Sequence, residues 1–225
     1  MEKKFKKNAK QNKDVLIVFD RDGTLIYDDG YFGKNDNWKK ELKFYKGAIE
    51  TIKELNSFTQ VIVASNQIGV ALGLYDIERV KEINQHIDKI FKKKGASIDG
   101  WYFSPYIEKK WALEQGLDLE SPWVLENFPK TRKPQIGMIE QAVADFGKKI
   151  TSYKKIIVIG NSLDDMNMAL MLENGVGIFF ENVQNTHLLK KMKELKLNNS
   201  GKVFIIQQLL LSVKIIKEII KEESI

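Results

Sequence analysis

The segment that is most informative about the fold of this chain is Val15-Leu16-Ile17-Val18-Phe19-Asp20-Arg21-Asp22-Gly23-Thr24. Its first five residues are all apolar, which is typical of a strand that is covered on both faces in a parallel sheet. Two aspartates follow at the carboxyl end of that strand, where open α/β sheets bind their ligands. The stretch therefore predicts a buried strand that ends at a polar, functional edge.

Apolar strands and amphipathic helices alternate along the rest of the chain. Further strands are predicted at 61–64, 98–103, 155–159 and 176–180, and helices at 45–57, 76–94, 135–146, 164–173 and 207–221. This alternation predicts an α/β fold, a Rossmann-like three-layer sandwich with a mainly parallel central sheet. We expect one domain over 14–225, with a long loop at 104–132 that is functional or carries an inserted element.

The net charge of +6 is concentrated in a tail at residues 1–13, which holds six lysines and one glutamate. The rest of the chain therefore sums to only +1, so we expect a flexible basic tail on a nearly neutral domain. Nucleic acid is consequently not the expected partner, because binding to its backbone normally requires a basic surface. The chain contains no cysteine, which excludes disulfides and thiolate metal sites.

Hydropathy gives no indication of a membrane protein. No apolar run approaches the roughly 18 residues of a membrane span, and the N-terminus lacks the apolar stretch of a secretory signal. We therefore expect a cytoplasmic protein without a membrane partner.

Polar residues follow three of the predicted strands and should converge on one crevice. They comprise a pair of aspartates, a Ser-Asn-Gln segment, a run with two further aspartates, and two cations just before Pro134: Asp20, Asp22, Ser65, Asn66, Gln67, Asn161, Asp164, Asp165, Arg132 and Lys133. Each group taken singly predicts a turn, a helix cap or a surface lysine. Their combination at successive strand ends predicts phosphoryl-transfer chemistry.

Asp20 has the chemistry of a nucleophile that attacks phosphorus and forms an aspartyl-phosphate. Its approach to an anionic phosphate requires charge neutralisation, which Mg²⁺ supplies through oxygen ligands. Asp22 is suited to protonate the leaving oxygen and then to deprotonate the attacking water.

The remaining polar groups predict support for this reaction. The hydroxyl of Thr24 is expected to order the loop after the strand. Ser65 and Asn66 are expected to donate hydrogen bonds to the phosphoryl oxygens, and Lys133 to offset their growing charge.

These motifs resemble those of the haloacid dehalogenase (HAD) superfamily of phosphatases, subfamily IIIA, over about 15–180. The residues that carry the resemblance are 19–25, Ser65, Lys133 and 160–165. The segments 65–70 and 132–138, with Arg21 and 28–31, resemble the branch of D-glycero-D-manno-heptose 1,7-bisphosphate phosphatases and histidinol phosphatases. The resemblance implies a capless domain and a phosphoric monoester hydrolase.

The resemblance also implies roles for individual residues. The substrate would contact Asp28, Asp29, Gly30, Tyr31, Gln67 and Arg132, the arginine recognising a second charged group. The Mg²⁺ ligands would be Asp20, Asp22, Asn161 and Asp165, with Asp164 as an alternative.

Two departures from the family pattern stand out. The family often carries a zinc loop of three cysteines and a histidine before Arg-Lys-Pro, but this chain has neither residue type there, so zinc is not expected. The fourth motif has Asn161 where the family has an aspartate that binds Mg²⁺. Because this removes one negative charge, weaker metal binding is expected.

Three functions remain open from the sequence. The leading one is hydrolysis of a small phosphorylated metabolite, such as a sugar bisphosphate of carbohydrate metabolism like heptose 1,7-bisphosphate. The alternatives are a nucleic-acid 3′-phosphatase and a low-activity, phospholigand-binding scaffold. A monomer or a small homo-oligomer is expected.

Overall fold

The computed structural model describes residues 13–222. The tail that the sequence predicts at 1–13 therefore lies outside the described residues, apart from Lys13. No helix in the part of the chain that the structure describes is long and apolar enough to cross a membrane.

A six-stranded, all-parallel sheet forms the centre of the molecule, in the order β3-β2-β1-β6-β7-β8. Its strands are β1 (Val15–Phe19), β2 (Gln60–Asn66), β3 (Gly100–Ser104), β6 (Lys155–Gly160), β7 (Gly175–Phe180) and β8 (Val203–Ile206). A separate two-stranded sheet pairs β4 (Ile107–Glu108) with β5 (Val124–Leu125). The predicted α/β class with a mainly parallel sheet is confirmed.

Eight α-helices connect the strands: α1 (Trp38–Glu41), α2 (Ala48–Leu55), α3 (Ile77–Lys93), α4 (Lys109–Glu114), α5 (Gly137–Asp145), α6 (Leu163–Leu170), α7 (Leu189–Asn198) and α8 (Leu210–Glu222), all within residues 13–222. Helix α3 begins where the sequence predicted, because the Asp76 carboxylate accepts a hydrogen bond from the Arg79 amide at 2.7 Å.

Alternation of side chains along the buried strands divides the core into two faces. Ile17 and Phe19 of β1 point to the side that packs α2, α3 and α8, whereas Leu16 and Val18 point to the side that packs α5 and α6. The result is the expected three-layer sandwich. Because all strands run the same way, their carboxyl ends form one edge, and the predicted site residues lie there.

The structure contains elements that the sequence did not predict, namely strand β8 and helices α1 and α7. The long loop predicted at 104–132 contains the short elements β4, α4 and β5. The C-terminal helix α8 buries Val213, Ile216 and Ile219, while Leu210 at its first position is 44% exposed.

Candidate active site

The Lys133 cluster, which consists of Asp20, Lys133 and Asp165, lies at the carboxyl edge of the central strands. Asp20 follows β1, Lys133 precedes α5, and Asp165 lies in the first turn of α6. The Lys133 ammonium contacts a carboxylate oxygen of Asp20 at 2.6 Å and one of Asp165 at 2.7 Å. All three side chains are buried, so water screens these charges little.

One lysine is paired with two carboxylates in this cluster, and the pKa values of Asp20 and Lys133 reflect that imbalance. Burial, together with the nearby charges of Asp165 and Asp22, raises the pKa of Asp20 to about 7, although Lys133 opposes the rise. Burial alone would lower the pKa of Lys133, but its two carboxylate partners outweigh burial and raise it. The cluster therefore holds a firmly charged lysine beside an aspartate that lacks a full counter-charge.

Within residues 13–222 the second oxygen of Asp20 accepts one hydrogen bond, from the Thr24 hydroxyl at 3.3 Å. The other oxygen is occupied by Lys133. Thr24 thus contacts the predicted nucleophile itself, in addition to lying in the loop it was expected to order. Asp20 is held by its neighbours while one oxygen stays weakly engaged.

The Arg21 cluster, which consists of Arg21, Asp22, Gln67 and Asn84, lies on the other side of the same loop. Arg21 is fully buried and binds both oxygens of Asp22 at 2.9 Å through Nε and Nη2. Its remaining donors reach Asn84 and Gln67, each at 2.8 Å. Gln67 in turn donates to Asp22 at 2.5 Å. Asp22 therefore has several strong donors of its own.

Two residues that were predicted to contact phosphate or substrate are engaged inside the protein instead. Gln67 is 2% exposed and lies in the Arg21 cluster, with further contacts to Ser65 and Tyr75. Asn66 uses its amide on the backbone of Lys133, accepting from its N–H at 2.9 Å and donating to its carbonyl at 3.2 Å. Both side chains hold the catalytic candidates in place.

Ser65 lies at the end of β2 and beside Asp22, and its predicted role as a donor to phosphoryl oxygens stays a prediction. Its hydroxyl donates to an Asp22 oxygen at 3.3 Å and accepts from Gln67 at 2.7 Å. Its side chain is nearly fully buried, which places it at the floor of the site.

The predicted metal ligands are not equally available. Both oxygens of Asp165 are used, one by Lys133 and the other by the hydroxyl and amide of Ser162 at 2.6 and 3.0 Å. Asp22 is held by Arg21. Asp164, the alternative ligand, is half-buried, and burial followed by the charge of Asp165 raises its pKa. Asp20, Asn161 and Asp164 remain as the predicted ligands whose side-chain oxygens are least engaged by other residues within 13–222.

The donor chemistry fits Mg²⁺ better than a metal that needs several protein ligands. Among residues 13–222 no three His, Cys, Asp or Glu side chains are grouped to hold an ion by themselves. Mg²⁺ is commonly bound by one or two carboxylates, with water and substrate phosphate completing its shell. The net negative charge around Asp20 also favours a cation there. The absence of zinc stays a prediction.

A close contact explains why Gly23 must be glycine. Its φ is +78°, in the left-handed region, and a Cβ at this position would collide with the side-chain amide of Asn161. The loop after β1 and the loop after β6 therefore touch at Gly23 and Asn161.

The predicted substrate segment 28–31 forms a turn over the site. The Asp28 carboxylate accepts from the Gly30 amide at 2.9 Å, and Tyr31 adopts a φ of +60°. Burial, with a contribution from the Asp22 charge, raises the pKa of Asp28 to about 6. Asp29 is exposed and accepts from Gln184. The turn thus approaches the Arg21 cluster with a partly desolvated carboxylate.

Arg132 is the second residue that the sequence assigned to substrate recognition, and it is partly buried. Burial lowers its pKa, while the charges of Asp164 and Glu108 oppose that shift. One guanidinium N–H lies 3.4 Å from the carbonyl of Tyr106, which leaves most of its donors available. Arg132 therefore lies near enough to Tyr31 of the 28–31 turn for the ionisation of Tyr31 to affect it electrostatically.

The sequence did not indicate several residues whose side chains form hydrogen bonds with the site residues or with the loops that carry them. They are Tyr75 and Asn84 around Arg21, and Asn182, Gln184 and Asn185 after β7. Asparagines after a strand predict a turn, so the sequence contained no signal for contacts with other loops.

Solved structures with related architecture agree with this fold. The D,D-heptose 1.7-bisphosphate phosphatase from B. bronchiseptica, complexed with magnesium and phosphate, is 20% identical, has a TM-score of 0.64 and covers 90% of this chain and 98% of its own. A HAD-like phosphatase from Mesorhizobium loti is 20% identical with a TM-score of 0.61, over 74% of this chain and 72% of its own. The HAD-like fold is therefore confirmed.

Curated relatives carry the name D-glycero-beta-D-manno-heptose-1,7-bisphosphate 7-phosphatase. The protein from Photorhabdus laumondii is 29% identical over 166 residues, which is 72% of this chain and 78% of the relative. The protein from Haemophilus influenzae is 29% identical over 156 residues, covering 68% and 74%. Fold, site and relatives together define a HAD-like phosphatase, as the sequence predicted.

The polynucleotide kinase 3 phosphatase family model matches residues 15–169. The chain belongs to this family. The match runs from β1 through most of α6, and so contains every element that contributes to the Lys133 cluster and the Arg21 cluster.

Proposed function

We propose that this chain hydrolyses a phosphomonoester of a small phosphorylated sugar that carries a second anionic group, in a Mg²⁺-dependent reaction through an aspartyl-phosphate on Asp20. The observation that carries the proposal is the state of Asp20. It is buried and paired with Lys133 through one oxygen, while the other oxygen has a single contact at 3.3 Å. That arrangement suits a carboxylate that attacks phosphorus.

In the first half of the reaction, an oxygen of Asp20 attacks phosphorus and the bond from phosphorus to the ester oxygen breaks. Asp22 enters this step in its protonated form, gives that proton to the leaving alkoxide and becomes a carboxylate. In the second half, water attacks the phosphorus of the aspartyl-phosphate and Asp22 takes a proton from that water. Inorganic phosphate leaves, and the Asp20 carboxylate is regenerated.

Charge stabilisation comes from residues on both sides of the phosphoryl group. Lys133 is held charged by its two carboxylates and offsets the negative charge of the transferring phosphoryl oxygens. Mg²⁺, held by Asp20 and Asn161, would neutralise charge between the nucleophile and the phosphate. Asp165 and Asn66 position Lys133, which is the role their contacts support.

Substrate selection is assigned to the opening above these groups. Arg132 has free donors for a second phosphate or carboxylate, since a planar guanidinium recognises either in a bidentate way. The 28–31 turn would contact the sugar hydroxyls, with Asp28 as an acceptor. The names of the curated relatives support a sugar bisphosphate such as heptose 1,7-bisphosphate as the substrate.

A panel of phosphorylated compounds assayed with Mg²⁺ tests the proposal. It contains heptose and hexose bisphosphates, the matching monophosphates, histidinol phosphate and 3′-phosphorylated oligonucleotides. We expect bisphosphates to exceed monophosphates in kcat/KM by about tenfold or more, and Arg132→Ala to abolish that preference, since one charge-assisted contact contributes about 1.5–3 kcal/mol. Equal turnover of mono- and bisphosphates would contradict the role of Arg132.

The family model favours a second candidate, a nucleic-acid 3′-phosphatase. Such an enzyme would use the same Asp20 chemistry with a longer substrate. The oligonucleotides in the panel decide between the two. Preferential turnover of a 3′-phosphorylated strand, weakening steeply as salt is raised, would establish this candidate in place of the sugar phosphatase.

A further inference from the structure

Three amide side chains that follow β7 reach other functional loops of the site. We call Asn182, Gln184 and Asn185 the β7 bracket. Asn185 contacts the loop after β6, Asn182 contacts the loop after β1, and Gln184 contacts the 28–31 turn. Segments that are far apart in sequence are thereby tied to one short connection.

Asn185 fixes the loop that carries Asn161. It is 3% exposed, and its side-chain nitrogen donates to the carbonyls of Asn161 and Phe180, each at 2.9 Å. Its side-chain oxygen accepts from the amide of Asn182 at 2.8 Å. Because a buried amide with all these bonds has one geometry, it sets the position of Asn161 relative to the end of β7.

Asn182 fixes the loop that carries the aspartate pair. Its side-chain nitrogen donates to the carbonyl of Gly23 at 2.8 Å, and its oxygen accepts from the amide of Gln184 at 2.8 Å. Gly23 is the residue whose Cα lies against the Asn161 amide. Asn182 and Asn185 therefore donate to the backbone carbonyls of Gly23 and Asn161, which lie against each other.

We propose that Asn182 and Asn185 are positioning residues for the Mg²⁺ site, an inference that rests on the proposed function. Asn161 offers an amide oxygen where a carboxylate would offer a full charge. An ion–dipole contact depends on orientation more strongly than a contact between charges, so a site of this kind needs a fixed loop. Residues that orient metal ligands typically change metal affinity by about 10–100-fold when removed.

The test measures Mg²⁺ affinity without substrate, as the rise in Tm of the full chain with Mg²⁺ concentration, and in parallel the Mg²⁺ concentration that gives half-maximal turnover. We expect Asn182→Ala and Asn185→Ala to raise the Mg²⁺ Kd by about tenfold. At saturating Mg²⁺, KM for the sugar phosphate should stay within about twofold of wild type, because neither side chain lies among the groups assigned to the substrate.

Asn174→Ala is the matched control. Asn174 is half-buried like Asn182 and also donates its side-chain amide to a backbone carbonyl, that of Tyr153 at 2.6 Å, but it lies at the opposite end of β7. We expect it to lower Tm without changing the Mg²⁺ Kd, which separates positioning from a general loss of stability. If Asn185→Ala does not fold, Asn182→Ala carries the test, since its side chain is less buried.

The outcomes separate the inference from the function on which it rests. If wild type hydrolyses sugar phosphates with Mg²⁺ and the bracket variants keep its Mg²⁺ Kd, the positioning role is overturned while the function stands. If wild type neither binds Mg²⁺ nor hydrolyses any phosphoester, both are overturned. A raised Kd in both bracket variants, with an unchanged Kd in Asn174→Ala, supports the inference.

Discussion

Asp20 and Asp22 are two residues apart after the same strand, yet their surroundings differ sharply. In the Lys133 cluster, Asp20 shares one cation with Asp165, and one of its oxygens has a single contact at 3.3 Å. In the Arg21 cluster, Asp22 has a guanidinium bound to both of its oxygens and two further donors. The two clusters thus differ in how fully each carboxylate is satisfied.

The end of one strand can therefore supply two carboxylates with different chemical roles, a nucleophile and a proton-transfer group. A carboxylate whose negative charge is only partly balanced favours binding of a cation, which would keep it ionised for attack on phosphorus, and the proposed nucleophile has that character. A carboxylate with a full set of donors keeps one orientation, which proton transfer in a fixed direction requires. The predictions below remove or add charge in one cluster at a time.

The largest effect is expected from Asp20→Asn, which removes the charge from the undersatisfied carboxylate. An amide does not form the covalent intermediate, so we expect turnover to fall by about four orders of magnitude or more. Single-turnover assays with sugar phosphates measure this. Asp76→Asn, the same exchange at the N-cap of α3, should leave turnover at the wild-type value; retained activity in Asp20→Asn would refute the covalent route.

Asp22→Asn is the same exchange in the other cluster, and we expect a smaller loss, of about a thousandfold, because the nucleophile survives. Both halves of the reaction should slow, and the rates of phosphoenzyme formation and breakdown, followed by acid quench, measure each half separately. An intact rate of phosphoenzyme breakdown would mean that Asp22 acts in the first half alone.

Lys133→Met leaves Asp20 and Asp165 buried without a cation. We expect a loss of about 3–5 kcal/mol in the free energy of unfolding, together with a large loss of turnover. Denaturant unfolding measures the first effect. Lys154→Met is the control, because Lys154 and Asp14 form an exposed pair at 3.7 Å whose loss should change stability by less than about 1 kcal/mol.

A double variant tests whether Asp20 and Lys133 are energetically coupled. Adding Asp20→Asn to Lys133→Met removes one of the two unbalanced carboxylates, so part of the lost stability should return. If the two effects simply add, Asp20 and Lys133 are not energetically coupled, and the picture of a shared cation fails.

The pH dependence of stability should also distinguish the clusters. Because the pKa of Asp20 is raised to about 7 in the folded protein from a usual value near 4, the folded state binds more protons between these values. Stability of the metal-free protein should therefore fall as pH rises from about 4 to about 7. Thermal unfolding in EDTA checks this, and Asp20→Asn should flatten the slope.

The sequence predicted the parts of this site that depend on order along the chain. The apolar run 15–19 predicted β1, and residues after strand ends were expected to meet because parallel strands share one edge. The sequence could not show which partner each side chain takes. Gln67 and Asn66 follow a strand like any phosphate donor, but Arg21 and the backbone of Lys133 compete for them.

Other misses have separate physical causes. Strand β8 is only four residues long and follows a polar segment, so its periodicity is too short to recognise. Asn182 donates to a backbone carbonyl 159 residues away, and a carbonyl acceptor leaves no trace in the sequence. The bonds between Asp165 and Ser162, by contrast, have a recognisable sequence pattern. A serine at the N-cap with an acidic residue three positions later is typical of a capping box, which the structure contains.

The smallest effect is expected from Asn161→Asp, which adds charge beside the cluster that lacks a cation. A carboxylate should bind Mg²⁺ more tightly than the amide, by about tenfold, since about 1.4 kcal/mol corresponds to that factor. The side chain lies against Gly23, and the isosteric exchange keeps its shape, so stability should fall only in the absence of metal, where a further negative charge joins the Lys133 cluster. Thermal shift against Mg²⁺ concentration gives the affinity. An unchanged Kd would show that residue 161 does not ligate, and the metal would then depend on Asp20 and on Asp164, the other predicted ligand whose side-chain oxygens are weakly engaged within residues 13–222.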